Sequence, residues 1–462
     1  MSGAPENRPA AAGDEAKRYG KTAGLLGIGV GATGLITYVF FVLASHNLSR
    51  DDYGELVVLW SAVFITVSVL YRPVEQLLSR TLAERQALGE ETRGTLRVAA
   101  TIQGALALIF AVLALVLRGP LEDELLSGNE TLYWVLVGAV LAYAVSYFAR
   151  GYFAGTRRFP LYALLMLFES IVRTGFALAV ALGISSGQSA VAMGIVIAPI
   201  VSLAIVPFAV LGRVSRVASA RPREPSDGSS FSLAHGSGFA AAVLLIMISE
   251  QAFLNTGPLL VNGAAGAAAA GFIFNVLMIA RAPLQLFQAV ATSLLPYLTR
   301  LRTSGEETAD EAFRLSVRST IWAIAGFAAI AMVVVALVGP TLMQLAFGEN
   351  FDYDRAGLLI VTAGMGLYLC AATLNQAAVA QGQVRRAAVC WVACAVGFVA
   401  WNLLPVLDAF RRVEVGFTAA AGVLALLLFL LYRHPHVRPE DVPAPDSPEE
   451  VEARLAAADE AG

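Results

Sequence analysis

Charge is scarce in this chain. Only 15% of its 462 residues are Asp, Glu, Lys or Arg, against 57% hydrophobic, and mean hydropathy is +0.68. Soluble globular domains carry about 25% charged residues, so this composition excludes an ordinary water-soluble protein. Lysine is nearly missing, at two of 32 basic residues. That bias, with abundant Ala and Gly, points to a GC-rich bacterial source. Cysteine is limited to Cys370, Cys390 and Cys394, all within apolar stretches and without metal spacing, which makes them packing residues. The four histidines, His46, His235, His434 and His436, lie in loops or at stretch edges. No dinucleotide fingerprint follows a strand, and no hydrolase nucleophile motif stands in a workable context. Gly20-Lys21-Thr22 imitates the end of a phosphate-binding loop, but Glu15 holds the first glycine position. The expectation is a protein that is not an enzyme, with no cofactor and no metal. Its basic loops serve topology and membrane-lipid headgroups rather than nucleic acid.

Long apolar runs are plentiful. A helix needs about 20 apolar residues to cross the hydrocarbon core, and twelve stretches meet or approach that length. They begin near Thr22, Leu56, Val98, Leu132, Pro160 and Ala190, then near Gly238, Ala268, Val317, Ala356, Ala387 and Val415. Only Asn262 to Gly266 separates the seventh from the eighth. Met1 to Lys21 is polar, and the first apolar run is long enough to stay as a membrane helix, so no cleavable signal peptide is expected. Basic residues crowd alternate loops: 24 of the 32 lie in the two tails and the even-to-odd loops, five in the opposite loops and three inside spans. By the positive-inside rule both termini are cytoplasmic, in a multi-pass protein of the cytoplasmic membrane.

The two halves repeat each other. Gly89-Glu90-Glu91-Thr92 returns as Gly305-Glu306-Glu307-Thr308, Gly119-Pro120 as Gly339-Pro340, and Arg157-Arg158 as Arg385-Arg386, in the same order. Six spans per half give both halves the same orientation, related by an axis along the membrane normal. The predicted fold is all-α: about 12 transmembrane helices in two parallel six-helix repeats facing a central cavity. The domains follow: a cytoplasmic tail over 1–21, an N-lobe over 22–212, a cytoplasmic linker over 213–237 rich in Arg, Pro, Ser and Gly, a C-lobe over 238–432, and an acidic disordered tail over 433–462.

Six ionisable residues fall well inside spans: Arg72 and Glu75, Glu169 and Arg173, Glu250, and Arg281. Each costs about 2.5–3.5 kcal/mol at a helix centre on insertion scales, so such residues turn to an interior cavity or to one another. Glu169 and Arg173, one turn apart, are spaced for an ion pair within a helix, and Arg72 and Glu75 are close enough to neutralise each other. Glu250 and Arg281 have no local partner. The arginines sit beside prolines in both halves, as Arg72-Pro73 and Arg281-Ala282-Pro283. Proline frees a backbone carbonyl and bends the helix, making Pro73 and Pro283 candidate hinges. A guanidinium suits a carboxylate or pyrophosphate because its planar fork stays charged and donates several hydrogen bonds. Candidate substrate-binding residues are therefore Arg72, Arg173, Arg281, Asn255 and Gln285. If transport is ion-coupled, Glu250, Glu75 and Glu169 are the candidates for a proton or sodium ion.

Gly24, Gly27, Gly29, Gly31 and Gly34 crowd the first span, Asp52-Tyr53-Gly54 opens the second, and glycine-then-basic turns stand at Gly155-Thr156-Arg157-Arg158 and Gly382-Gln383-Val384-Arg385-Arg386. On these patterns, over about Tyr19 to Tyr432, the chain resembles the polysaccharide flippase branch of the multidrug, oligosaccharidyl-lipid and polysaccharide exporter superfamily. The resemblance implies two lobes around a V-shaped cavity, alternating access, a cationic interior and a lipid-linked glycan as substrate. Glycan precursors of the cell envelope, lipopolysaccharide among them, are the implied cargo, and the enzymes that synthesise them the implied partners. Two alternatives are a cation-coupled multidrug antiporter of the same fold, which would want an acidic cavity, and a major-facilitator transporter. The latter's Asp-Arg motif has no counterpart in Ser79-Arg80-Thr81-Leu82-Ala83-Glu84-Arg85.

Overall fold

The computed structural model describes residues 29, 31–89, 91–207, 233–281, 307–349, 351 and 353–433. The N-terminal tail, most of the expected linker, the acidic tail beyond Arg433, Pro283 and Gln285 lie outside them.

Among the described residues the chain is helical. In the first half run α1 (31–47), α2 (Arg50–Leu70), α3 (Arg72–Ala87), α4 (Arg93–Val116), α5 (Glu130–Gly155), α6 (Phe159–Ala181) and α7 (Gln188–Ser202). In the second run α8 (Leu233–Ala265), α9 (Ala267–Arg281), α10 (Glu307–Phe347), α11 (Arg355–Ala380), α12 (Val384–Leu403) and α13 (Ala409–Arg433). With α2 and α3 taken as one span, these are the twelve expected crossings, and ten of them are long and apolar enough to span a bilayer by length and composition. The two six-helix repeats are parallel and face a central cavity. Their correspondence is visible in the boundaries: α5, α6 and α7 start at Glu130, Phe159 and Gln188, and α11, α12 and α13 at Arg355, Val384 and Ala409.

Local chemistry sets the ends. The Ser49 hydroxyl accepts from the Asp52 N–H at 3.1 Å to cap α2, Asn129 accepts from Leu132 to cap α5, and Asp354 accepts from Gly357 to cap α11. Gly266, at φ +85°, makes the abrupt turn from α8 to α9 that a residue with a Cβ would strain to make. The repeat pairs differ in detail. Gly119-Pro120 enters a π-helical turn, whereas Pro340 continues inside α10.

Lipid takes the place of water on the outer wall. Ile109, Val112, Val116 and Leu108 on α4, and Trp322, Ile330 and Leu337 on α10, stand 51–74% exposed. Only hydrocarbon suits apolar surface on that scale.

The lobes meet at the end of the molecule away from the basic turns. Gly54 on α2 packs against the backbone of Ala267 and Ala268, where a Cβ would overlap it. Gly271 returns the contact, with an added Cβ 3.2 Å from the Gly54 Cα. The Tyr53 hydroxyl donates to the Asn275 side-chain carbonyl, Arg50 lies over the Phe272 ring at 5.5 Å, and Asn262 donates to the Leu125 carbonyl at 3.1 Å. Small residues at the crossing allow this approach. Gly54→Val should force α2 and α9 apart, with overpacking of about 1–3 kcal/mol. Spin labels at Asp51 and Ala264, both exposed, should report a longer distance in the variant; an unchanged distance with unchanged thermal stability would show that the crossing has slack.

Candidate functional site: a charged interior at the lobe interface

Three helices of the N-lobe each present a polar stripe inward. On α5 the stripe is Tyr143, Ser146, Tyr147 and Arg150, spaced three and four apart; on α6 it is Tyr162, Glu169 and Arg173; on α3 it is Arg72 and Glu75. Glycines bring two of them together. A Cβ on Gly151 would lie 2.9 Å from the Glu75 carbonyl oxygen, and one on Gly155 would lie 2.8 Å from that of Ser79, so α5 packs on the backbone of α3.

Glu169 is the hub. Its carboxylate receives Arg150 at 2.6 Å, the Tyr143 hydroxyl at 2.7 Å and the Ser146 hydroxyl at 3.4 Å, with Arg173 at 3.7 Å. Arg173 also donates to Tyr143 at 3.2 Å, Ser170 at 3.2 Å and Thr37 at 3.3 Å, and lies 4.6 Å from the centroid of the Trp60 ring. Arg150 lies 4.6 Å from that of Tyr147. All three charges are buried: Arg150 is 8%, Arg173 3% and Glu169 4% exposed. The expected Glu169–Arg173 pair is thus one side of a wider knot. Arg173, expected beside the substrate, is enclosed within the N-lobe instead, because the knot, Thr37 of α1 and the Trp60 ring of α2 occupy its guanidinium.

Sequence reasoning missed Arg150, which was counted with the loop arginines near Arg157 and Arg158. The signal was present: Tyr147-Phe148-Ala149 before it and Gly151-Tyr152-Phe153 after it are apolar or aromatic, so the fourth span runs through it to Gly155.

The remaining charges lie at the junction of the lobes. Glu75 is buried and accepts from the Tyr162 hydroxyl at 3.1 Å. Arg72 is part-exposed and in electrostatic reach of Glu75, Tyr147 and Tyr162 of its own lobe and of Glu250 on α8. Tyr368 on α11 has Glu250, Arg281 and Arg72 as its charged neighbours. Aromatic edges hold its ring in place, with Trp391 at 5.8 Å and Phe253 at 6.1 Å. Arg281, at the described end of α9, keeps buried Nε and Nη2 atoms with no hydrogen-bond partner among the described residues. Asn255, by contrast, is taken up by Gln251 of its own helix at 2.9 Å and bonds to none of these arginines among the described residues. Pro73 stands at the junction of α2 and α3, one residue after Arg72.

An apolar cavity of about 520 Å³ is walled in part by the stretch of α9 just before Arg281. Ile279 and Ala280, the two residues before Arg281, form part of its wall; Gly31 and Leu35 of α1 and Phe327 and Val334 of α10 supply more. Leu35, Phe327 and Val334 are 42–62% exposed on the lipid-facing side.

The sequence profile of the family described as polysaccharide biosynthesis protein matches residues 19–302. The chain belongs to that family. Among curated proteins, stage V sporulation protein B of Bacillus subtilis (strain 168) is 27% identical over 150 residues, 31% of this chain and 29% of that protein. Solved structures extend the likeness in fold. An inward-facing multidrug resistance MATE family transporter of the MOP superfamily has a TM-score of 0.65 at 13% identity, covering 89% of this chain and 97% of that one. An outward-facing one reaches 0.58, at 13% identity, over 89% and 95%. A mutant of the Vibrio cholerae MATE transporter VcmN reaches 0.57, at 17% identity, over 90% and 97%. This member of the polysaccharide biosynthesis family therefore shares the fold of that superfamily, as the glycine-rich and glycine-then-basic patterns implied.

Proposed function

We propose that this protein carries a lipid-linked anionic oligosaccharide precursor across the bacterial cytoplasmic membrane by alternating access. The observation that carries the reading is the junction of two unlike surfaces at Arg281. Arg281, a guanidinium with unused buried donors among the described residues, follows in α9 directly on Ile279 and Ala280, which line an apolar cavity that borders the lipid-facing wall. A headgroup phosphate satisfies the first and a polyprenyl chain the second. Family membership supports the same choice over a cationic drug. Arg72 and Arg281 are the headgroup contacts in this reading, with Glu250 and Glu75 the groups available to a coupling proton or sodium ion.

Alternating access fits the contacts between the lobes. They gather at the Tyr53–Asn275 end, opposite the basic turns. With the basic turns cytoplasmic by the positive-inside rule, the cavity opens inward, where the precursor is made. The N-lobe of 22–212 and the C-lobe of 238–432 are the moving bodies, and Pro73 and Pro283 are their hinges. Export of an anion from a negative-inside cell gains about 2.3 kcal/mol per charge per 100 mV, so the membrane potential alone favours it. Enzymes of envelope glycan synthesis would then supply the cargo and consume it.

The test is to delete the gene in its host and quantify polyprenyl-linked sugars in membrane extracts by mass spectrometry beside a complemented strain. One lipid-linked oligosaccharide should accumulate in the deletion only. No accumulation, with new sensitivity to cationic drugs, would overturn the reading in favour of a multidrug antiporter.

A further inference from the structure

Among the described residues, most interior charges have fixed partners and three do not. Glu169 is held by Arg150, Arg173 and Tyr143, and Glu75 by Tyr162. Glu250 has no hydrogen bond among the described residues. It is attracted to Arg72 across the lobe interface, yet the two form no direct ion pair. Both are part-exposed, so neither is wholly packed into its own lobe. Arg281 completes the set, with two buried donors unused.

Resting on the headgroup reading above, we propose that Glu250 is the resident counter-anion of this site: it balances Arg72 while the site is empty and yields it to a phosphate anion shared between Arg72 and Arg281. A carboxylate of the protein does not satisfy both arginines. Glu250 on α8 has Arg72 of α3 as its charged neighbour, while Arg281 on α9 keeps two buried donors without a partner among the described residues. A free anion of higher charge placed among them can offer each guanidinium an oxygen. Binding leaves Glu250 facing that anion, and the repulsion limits affinity and promotes release. The carboxylate then regains Arg72 and resets the site. A monophosphate headgroup competes with Glu250 on nearly even terms, whereas a diphosphate outcompetes it. Glu250 thus also sets selectivity for diphosphate-linked cargo.

The experiment titrates the purified full-length protein with undecaprenyl diphosphate and, separately, undecaprenyl monophosphate, read by native mass spectrometry. The parent should prefer the diphosphate. Glu250→Gln should bind both probes more tightly, by about tenfold for the monophosphate, and so narrow that preference, because one like charge is gone. Glu250→Met, neutral and of similar length, should move in the same direction and guards against a defect peculiar to one substitution. Arg281→Ala separates the two readings. If it binds diphosphate as well as the parent, the headgroup assignment itself fails. If it loses binding while neither Glu250 variant binds more tightly than the parent, the headgroup assignment stands and the counter-anion role is overturned.

Discussion

Arg281→Ala should abolish export while the protein still inserts, folds and melts at or above the parent temperature. Two terms separate here. Nε and Nη2 of Arg281 have no partner among the described residues, so these two donors add no hydrogen bond to the folded protein, which carries the penalty of a buried charge. Truncation removes that penalty. The loaded protein loses charge-assisted hydrogen bonds to an anion, each worth about 1.5–3 kcal/mol, which is a fall of roughly 10- to 150-fold per bond in transport. The check pairs complementation of lipid-linked sugar accumulation with a thermal melt of the purified variant. Full export at normal protein level would sink the assignment of Arg281. A lower melting temperature would instead assign it a structural role.

The opposite pattern is expected at Glu169. Glu169→Ala leaves Arg150 and Arg173 facing each other in a nearly dry interior, 8% and 3% exposed. Breaking a buried pair by removing one partner costs about 3–5 kcal/mol, a large part of the 5–15 kcal/mol that typically separates folded from unfolded protein. Tyr143 and Ser146 lose their acceptor as well. The variant should fail to accumulate, or melt far below the parent, in a fluorescence-detected size-exclusion assay. Glu169→Gln keeps one acceptor oxygen but turns the other into a donor and removes the charge, and should fall between the two. Parent-like melting of Glu169→Ala would mean that water or lipid phosphate reaches the arginines and that the knot is not closed.

The long apolar spans could be read directly, because hydrocarbon leaves a helix little choice but to satisfy its own backbone. Even the uncertain boundary at Asn262 to Gly266 fell where glycine allows a positive φ. Arg72, Glu75, Glu169, Arg173, Glu250 and Arg281 stood out for the same reason, as charges that lipid would not accept. Arg150 did not, since its neighbours Arg157 and Arg158 drew the boundary of the fourth span too early. Tyr143, Tyr147, Tyr162 and Tyr368 were invisible as site residues, because an interior tyrosine has the same pattern whether it packs or donates.

By itself, then, the sequence determined the number of spans, their parallel repetition and the identity of the buried charges, because each follows from one segment's transfer between water and lipid. Which charges cancel was decided only in three dimensions. Glu169 and Arg173 of α6 form one side of a knot closed from α5 by Arg150 and Tyr143, and the charged neighbour of Glu250 is Arg72 on the other lobe. Arg281 is left with donors to spare. Pairing depends on distances between helices far apart in the chain, and those distances are set by glycine crossings such as Gly54 on Ala267 and Gly151 on Glu75. No local pattern encodes which backbone will lie against them.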